Sequence, residues 1–219
     1  MRTLFSLATA ALGILGLAAC QHIAPTNPAR RGPFFKPVNY VSDQRLPYGT
    51  RRVVLLPIHG APYADFETCE QLDPIIAEAL VRQMRFEVVP LTRAECTRTF
   101  GFQDIDSTAQ LPPHFLKILG TKFDAQAVLF VDLTAYAPYR PLAIGFRAKL
   151  ANVADQRILW AFDQLYTTNN SAVANSLRHY YLGGDRQGMP FDSTTESLIS
   201  PSQFAAYVAD TTFRTLPVP

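Results

Sequence analysis

The sequence predicts an α/β (α+β) fold in a single domain, with a mixed sheet of about five strands in the order β-α-β-α-β-β-β followed by C-terminal helices. Three observations support this prediction. Short apolar runs of strand length alternate with segments of helical periodicity up to about residue 133. Two segments of alternating polarity, 142–153 and 157–166, follow one another across a short turn. The 219 residues, of which 48% are hydrophobic, suffice for one domain of ordinary size.

The chain opens with a segment typical of a secretory leader. Arg2 is the only charged residue before Cys20, and an uncharged run of apolar and small residues extends from Leu4 to Leu17. A membrane-spanning helix needs about 20 apolar residues, so this run has the length of a signal-peptide core instead. We therefore predict that residues 1–19 are a signal peptide that is removed during export.

The end of this leader, Leu17-Ala18-Ala19-Cys20, resembles the bacterial lipobox. The resemblance implies that Cys20 is the lipidation site and carries a covalent diacylglycerol and an N-acyl lipid, with no other cofactor. Several acyl chains would hold the protein firmly, since each buried CH₂ contributes about 0.8 kcal/mol of membrane affinity. In enterobacterial lipoproteins an Asp after the cysteine favours the inner membrane. Gln21 therefore implies the inner leaflet of the outer membrane, facing the periplasm; the alternative is an ordinary signal peptide with an incidental cysteine.

Residues 20–48 are predicted to be a lipidated, proline-rich tether, and residues 49–219 the periplasmic domain. Proline fixes φ and donates no hydrogen bond, so a stretch with five prolines favours extended chain over helix. Four side chains are unusually apolar for a free linker, which predicts packing on the domain or on a partner: Phe34, Phe35, Tyr40 and Val41.

The domain is predicted to begin with a strand, a helix and a second strand. Arg52 to Ile58 is an uninterrupted apolar run with β-branched residues, typical of a strand buried on both faces. From Glu70 to Met84 apolar residues recur at helical spacing, and Asp73-Pro74 suits the first turn of a helix. Residues 86–90 are the second strand.

Two short helices and a third strand follow. Helices are predicted at 91–98 and 112–123, on either side of a polar loop. The apolar run Ala127–Leu133 predicts the third strand. The proline-containing segment from Ala135 to Arg140 ends it.

A hairpin and two helices complete the predicted domain. Leu142–Val153 alternates between apolar and polar residues, Ala154-Asp155-Gln156 forms a turn, and Arg157–Tyr166 returns as the second strand. Helices are predicted at 171–182 and 202–216, with a loop at 183–192 between them.

The hairpin sequence Arg147–Trp160 and the opening strand RRVVLLPI resemble those of one group of envelope lipoproteins. This group (the TolB N-terminal-like group) includes the curli secretion channel CsgG, the exopolysaccharide lipoprotein PelC and the penicillin-binding-protein activator LpoB. The resemblance covers about residues 51–166. It implies an α/β domain that binds other envelope proteins or assembles with itself. The chain departs from the pattern because its hairpin turn lacks glycine, the loop after the first strand contains a cysteine, and long pore-forming hairpins are not evident.

The charge and the cysteines limit the chemistry. Twenty basic and 18 acidic residues give a net charge of +2, which argues against nucleic acid as a partner. Export to an oxidising compartment predicts a disulfide between Cys69 and Cys96, the alternative being two separate buried thiols. No histidine or second cysteine lies at zinc-ligand spacing beside either residue, and there is no Cys-x-x-Cys sequence.

No catalytic or metal-binding residue is predicted. Four acidic residues cluster after the first strand, which favours a solvated loop and an acidic first helical turn over a cation site or an acid-base pair. His59 follows the first strand, where functional residues of α/β sheets often lie, yet a single histidine there is more often structural. The acidic cluster consists of Asp65, Glu67, Glu70 and Asp73.

Two aromatic groups are candidate contact surfaces. The hairpin loop with Tyr136, Tyr139 and Arg140 is a predicted contact loop. Arg178, Tyr180 and Tyr181, near a helix end, form a predicted interface because Tyr and Arg are enriched at interfaces. Core packing of the two tyrosines is the competing interpretation, and it is favoured over the interface.

These observations together predict a non-enzymatic accessory or assembly factor for export or cell-wall synthesis. Its expected partners are the membrane, through the lipid anchor, and other envelope proteins, with self-association as a further option. Two alternatives stay open: a ring-forming subunit of an export apparatus, and a lipid-anchored enzyme that uses His59, Asp65 and Glu67.

Overall fold

The computed structural model of the chain describes residues 33–182 and 199–219. The predicted leader, Cys20 and the predicted loop 183–192 lie outside these described residues. Within them the chain forms six strands: β1 (Tyr40–Ser42), β2 (Arg52–Leu55), β3 (Glu87–Pro90), β4 (Ala127–Ala137), β5 (Ala143–Asn152) and β6 (Ile158–Thr167). The same residues form five helices: α1 (Phe66–Val81), α2 (Arg93–Phe100), α3 (Phe115–Phe123), α4 (Ser171–Leu182) and α5 (Pro201–Phe213).

The six strands form one mixed sheet in the order β1-β6-β5-β4-β2-β3. β2 is parallel to both β3 and β4, whereas β4, β5, β6 and β1 pair antiparallel. The predicted mixed α/β fold is therefore confirmed, with one strand more than expected.

Helices cover both faces of the sheet at β2, which explains its unbroken apolar sequence. Val53 and Leu55 pack in a cluster with residues of α1, α4 and α5. Val54 and Leu56 point to the other face and pack with residues of α2 and α3. The second cluster is the smaller one, so the helices α2 and α3 cover only part of their face.

Helix α1 begins earlier than predicted. The Asp65 side chain caps the helix by accepting a hydrogen bond from the Thr68 N–H at 2.9 Å. Pro74 lies inside the helix instead of in its first turn. The predicted start was wrong because Asp-Pro is common at helix starts, and here the Asp73 carboxylate has a tertiary role instead.

The other predicted helices are confirmed within a few residues, and caps define two of them. Thr92 and Glu95 form a capping box at the start of α2, and Gly101, with φ 85°, ends that helix in the left-handed conformation. Ser200 and Gln203 form a second capping box at the start of α5.

The predicted hairpin is confirmed as β5 and β6, and its turn closes without glycine. The Asn152 side chain accepts from the Ala154 N–H at 2.9 Å, and Asp155 accepts from the Arg157 N–H at 3.1 Å. Gln156 takes the left-handed conformation, with φ 61°. Polar side chains thus supply the turn that glycine provides in the lipoprotein pattern.

The described part of the predicted tether packs on the domain, so the domain begins before residue 49. The Phe35 ring lies 5.1 Å from that of Tyr166, and β1 pairs with Trp160–Phe162 of β6. The Leu46 N–H donates to the Val218 carbonyl at 2.8 Å. Prolines obscured this strand in the sequence because they favour extended, unpaired chain.

The predicted disulfide is corrected, because Cys69 and Cys96 are free, buried thiols. Cys69 packs in the cluster with α1, and Cys96 packs in the cluster with α2 and α3. The oxidising compartment favours disulfides in general, but the fold directs these two thiols into separate parts of the core. Among the described helices, none has both the length and the apolar character to span a membrane.

Candidate functional site

The carboxyl ends of the parallel strands β2 and β4 meet at one edge of the sheet, and charged side chains gather there. An isolated parallel bridge continues the pairing of these strands, joining His59 to Asp132. Four side chains form what we call the carboxyl-edge cluster: His59, Asp73, Arg93 and Asp104. They come from the loop after β2, from α1, from α2 and from the loop after α2.

Arg93 is the centre of this cluster, and its side chain is only 7% exposed. Its Nε donates to Asp73 Oδ2 at 2.8 Å, and its Nη1 donates to Asp104 Oδ2 at 2.8 Å. Its Nη2 donates to the Ile58 carbonyl at 2.8 Å. The planar guanidinium thus connects the end of β2, helix α1 and the loop after α2 through hydrogen bonds, and its contact with Asp73 has the paired geometry that arginine favours with carboxylates.

The three other members complete the cluster. His59 Nδ1 lies 2.7 Å from Asp104 Oδ1. Asp73 Oδ1 accepts from the Ile58 N–H at 2.9 Å. Burial raises the pKa of the Asp73 carboxyl, while the Ile58 N–H and the Arg93 charge act in the opposite direction.

A second buried carboxylate lies beside the cluster. Asp132 accepts from both the backbone N–H and the hydroxyl of Ser107. The Ser107 carbonyl in turn accepts from Lys149 Nζ at 2.9 Å. Burial raises the pKa of the Asp132 carboxyl. These bonds fix the polar loop 101–112 to the sheet.

Exposed aromatic side chains lie at the same end of the sheet, and we call them the aromatic rim: Tyr63, Phe66 and Tyr139. They are 52%, 49% and 85% exposed. The Phe66 ring lies over the Arg93 guanidinium, 5.6 Å from the ring centroid. The loop after β2, which contains Tyr63, is tightly packed, since a Cβ atom added at Gly60 would lie 2.2 Å from Cys69 Sγ.

The thiols and the hydroxyl nearest the cluster are poorly suited to nucleophilic chemistry. Burial raises the pKa of the Cys69 and Cys96 thiols to about 11, so both are protonated at neutral pH and poorly nucleophilic. The Ser107 hydroxyl donates to Asp132 and has no histidine partner. Among residues 33–182 and 199–219, no group of three or more His, Cys, Asp or Glu residues could hold a metal ion.

The structure separates the residues of the enzyme hypothesis. His59 pairs with Asp104, whereas Asp65 caps α1 and Glu67 lies exposed in its first turn. The carboxylate beside His59 therefore comes from a loop 45 residues away and not from the acidic cluster that follows the strand.

The two predicted aromatic surfaces differ in outcome. Tyr139 and Arg140 are exposed at the end of the β4–β5 hairpin, and Tyr136 is half-buried. Tyr180 and Tyr181, which the sequence offered as a possible interface, are buried in the core, where Tyr181 donates to the Gln203 carbonyl at 2.7 Å. The two tyrosines are therefore core residues, as the favoured interpretation expected, because α5 packs against that side of α4.

Sequence reasoning missed Arg93 and the role of Asp104. The capping box located the start of α2, yet nothing in the local sequence distinguishes Arg93 from a surface arginine. Its partners Asp73, Asp104 and Ile58 are 20, 11 and 35 residues away.

No family model and no curated protein matches this chain. Several solved structures are similar to it. The PelC dodecamer from Paraburkholderia phytofirmans matches with a TM-score of 0.41 and 17% identity, over 65% of this chain and 91% of that one. Lipoprotein GNA1162 from Neisseria meningitidis matches with a TM-score of 0.42 and 18% identity, over 62% and 94%. The LpoB C-terminal domain from Salmonella enterica matches with a TM-score of 0.36 and 13% identity, over 53% and 82%. PelC and LpoB are two of the proteins that the hairpin sequence resembles.

Proposed function

We propose that this chain is an envelope lipoprotein that acts without catalysis, by holding another envelope protein in export or cell-wall synthesis. Cys20 carries the diacylglycerol and N-acyl lipid, and the anchor lies in the inner leaflet of the outer membrane. The observation that carries the binding role is the exposed aromatic rim, whose Phe66 ring lies over the Arg93 guanidinium of the carboxyl-edge cluster.

Rigid support favours binding at the rim. Arg93 fixes the elements that present Phe66, so little side-chain freedom remains to be lost when a partner binds. Tyrosine is among the residues most enriched at the energetic centres of protein interfaces. Tyr63 and Tyr139 therefore suit an anchoring role.

Charge indicates the chemistry of the partner. Between His59 and Val81 the chain contains no lysine or arginine, while Asp65, Glu67 and Glu70 are exposed around Phe66. Hydrogen bonds from Thr68 lower the pKa of the Asp65 carboxyl, which keeps it charged. The complementary surface is basic at its border and apolar at its centre.

A photocrosslinking amino acid at Tyr63 tests this binding role in living cells. Tyr48 is the matched control, because it is a fully exposed tyrosine before β2, at the opposite end of the strand. We expect a single envelope protein to crosslink from position 63 and not from position 48. Tyr63→Ala and Phe66→Ala should each weaken its co-purification by about 30-fold, the effect of losing an interface anchor. Equal crosslinking yields from positions 63 and 48, or no effect of either substitution on co-purification, would contradict the binding role.

The anchor has its own test. The mature wild-type protein should carry the mass of three acyl chains on its first residue and should fractionate with membranes. Cys20→Ser should abolish the acyl mass and leave the leader attached, so that the variant chain is heavier than the mature wild type by the uncleaved residues 1–19. An unacylated wild-type protein would contradict the anchor.

A further inference from the structure

A cavity of about 440 Å³ lies at the amino end of β2, between the loop that precedes this strand and the C-terminal residue. We call residues 45–51 the basic loop. The buried Leu46 gives the cavity an apolar wall, and the fully exposed Tyr48 stands beside it. The exposed Arg45 and Arg51 line the cavity from the two ends of the loop. The volume lies within the range of small-molecule sites.

The backbone of the basic loop is held in place by hydrogen bonds. The N–H and the hydroxyl of Thr50 both donate to the Pro47 carbonyl, at 3.1 and 2.8 Å, and close a turn. Gly49 in this turn has φ 89°, a conformation that favours glycine. The Leu46 N–H donates to the Val218 carbonyl at 2.8 Å, which ties the loop to the C-terminal segment. The backbone at the tip of the loop therefore has little freedom left to lose when a ligand binds.

The two arginines of the basic loop are available to a ligand. Neither the Arg45 nor the Arg51 guanidinium group forms a hydrogen bond or an ion pair with any residue of the described chain. Asp43, two residues before Arg45, pairs instead with Arg157, whose Nη2 lies 3.1 Å from Asp43 Oδ2. Because guanidinium groups form paired hydrogen bonds with carboxylates, the loop suits a ligand that carries a carboxylate.

The carboxylates near Arg51 have other partners. Glu87 and Asp124 lie 2.9 and 3.8 Å from the guanidinium group of Arg52. The terminal carboxylate of Pro219 lines the cavity but forms no ion pair within the described part of the chain. Direct contacts among the described residues therefore leave the charge of the basic loop uncompensated, which makes an anion the complementary ligand.

The basic loop lies far from the point where the proposed tether joins the domain. The Phe35 ring packs on Tyr166 near the end of β6, and the Asp43 N–H donates to the Leu159 carbonyl near its start. Seven residues of a strand span about 23 Å, so the chain crosses the edge of the sheet before it reaches the loop. This position favours a ligand away from the membrane over a lipid headgroup. The loop is also small beside the surface of about 800 Å² that each partner buries in a standard protein interface.

We propose that the basic loop binds a hexuronic acid residue of an envelope polysaccharide. The sugar ring lies against the Tyr48 ring, and its carboxylate accepts hydrogen bonds from Arg45 and Arg51. An exposed aromatic ring offers an apolar face to the C–H groups of a sugar ring, and this contact removes apolar area from water. The inference rests on the proposed envelope location, which brings the protein and such polymers together.

The test uses the unlipidated mature chain from residue 21 onward, which contains every residue described above. Tri-galacturonic acid is the probe, and isothermal titration calorimetry measures its affinity. Its methyl ester has the same rings without the charge, and tri-glutamate has carboxylates without a sugar ring. We expect the acid to bind at least about 10-fold more tightly than either control compound. Titration with the acid should also shift the amide NMR signals of Gly49 and Thr50.

Variants of the loop identify the groups that bind. Arg45→Gln with Arg51→Gln should weaken binding of the acid by about 10-fold or more, and Tyr48→Ala should weaken it by a similar factor. Tyr48→Phe keeps the ring and should stay within about 2-fold of the wild-type affinity. Arg98→Gln with Lys117→Gln, on exposed positions of α2 and α3, removes the same charge and should also stay within about 2-fold. Thermal unfolding verifies that each variant is folded.

The outcomes separate this inference from the proposed anchor. Failure of the acid to bind, or equal affinity for the acid and tri-glutamate, would overturn sugar recognition even if Cys20 is acylated. Equal affinity for the acid and its methyl ester, or an unchanged affinity in the variant without Arg45 and Arg51, would overturn the role of the two cations. An unacylated Cys20 with intact binding of the acid would overturn the anchor and leave the sugar site in place.

Discussion

Arg93 Nε lies 2.8 Å from Asp73 Oδ2, which ties the first turn of α2 to the middle of α1 across the end of β2. Arg93 also holds Asp104, so one buried cation compensates two carboxylates. The four side chains of the cluster, Arg93 included, come from four separate parts of the chain. The position of the loop that contains Tyr63 and of the helix that begins at Phe66 therefore depends on this arginine.

Arg93→Met should destabilise the protein by about 3 kcal/mol, because it leaves two partly buried carboxylates without their cation. The free energy of unfolding from urea denaturation measures this effect. Arg98→Met, on an exposed position of the same helix, should cost less than about 0.5 kcal/mol. Similar losses for the two variants would mean that the cluster does not stabilise the fold.

The carboxyl groups of Asp132 and Asp65 should make the free energy of unfolding depend on pH in opposite directions. Burial raises the pKa of Asp132 in the folded state. Between the ordinary aspartate pKa and this raised pKa, the folded state therefore binds more protons than the unfolded state. The contribution of Asp132 to the free energy of unfolding falls as the pH rises through this interval. The stability difference between wild type and Asp132→Asn should accordingly decrease with rising pH.

Asp65→Asn supplies the opposite case. Hydrogen bonds lower the pKa of Asp65, so its contribution is present above the ordinary aspartate pKa and is lost as the pH falls through the lowered value. The difference between wild type and Asp65→Asn should therefore increase with rising pH. Urea denaturation at a series of pH values measures both slopes, and slopes of equal sign would refute this pair of assignments.

Both cysteines should be free but protected. Burial and a pKa of about 11 predict slow alkylation of Cys69 and Cys96 in the native protein at neutral pH. In denaturant without reductant, mass spectrometry of the chain from residue 21 onward, which lacks Cys20, should find two alkyl groups. A protein that accepts them only after reduction would contain the disulfide that the structure lacks.

Gly60→Ala should destabilise the protein by about 1–3 kcal/mol, the usual effect of overpacking, because the new methyl group would meet Cys69 Sγ. Removing that sulfur with Cys69→Ala should recover part of the loss, and a double-mutant cycle on unfolding free energies measures the coupling.

Gly49→Ala is the matched control for this cycle. Gly49 has φ +89° and open space around its Cβ position, so its substitution is costly through backbone strain alone. This loss should be the same with and without Cys69→Ala. A Gly60→Ala penalty that is equally insensitive to Cys69 would show that the contact is not its cause.

The elements that could be predicted from the sequence are those whose signal is local. The apolar runs of β2 and β4 follow from burial on both faces, and the alternation of β5 and β6 follows from a sheet with helices mainly on one side. Strand β1 escaped prediction because its pairing with β6 is a tertiary interaction within a proline-rich stretch. The start of α1 was misplaced because Pro74 is a local signal that the surrounding fold overrides.

The candidate site was predictable only in part. His59 was recognised because it follows a strand, but its partner Asp104 and the buried Arg93 are joined to it by contacts between distant parts of the chain. The same limit explains why the predicted disulfide was wrong. Composition indicates that two thiols are available to pair, and only the fold decides whether they meet.

The proposed anchor at Cys20 would give the attachment of residues 33–42 a mechanical consequence. Strand β1 comprises three residues at the edge of the sheet, while β4, β5 and β6 are joined by two long ladders. Tension along the chain would therefore detach the edge strand first. Release of residues 33–42 would lengthen the connection to the anchor by about 30 Å before the tension acted on the central strands. The domain could follow a receding partner over that distance and keep its core intact.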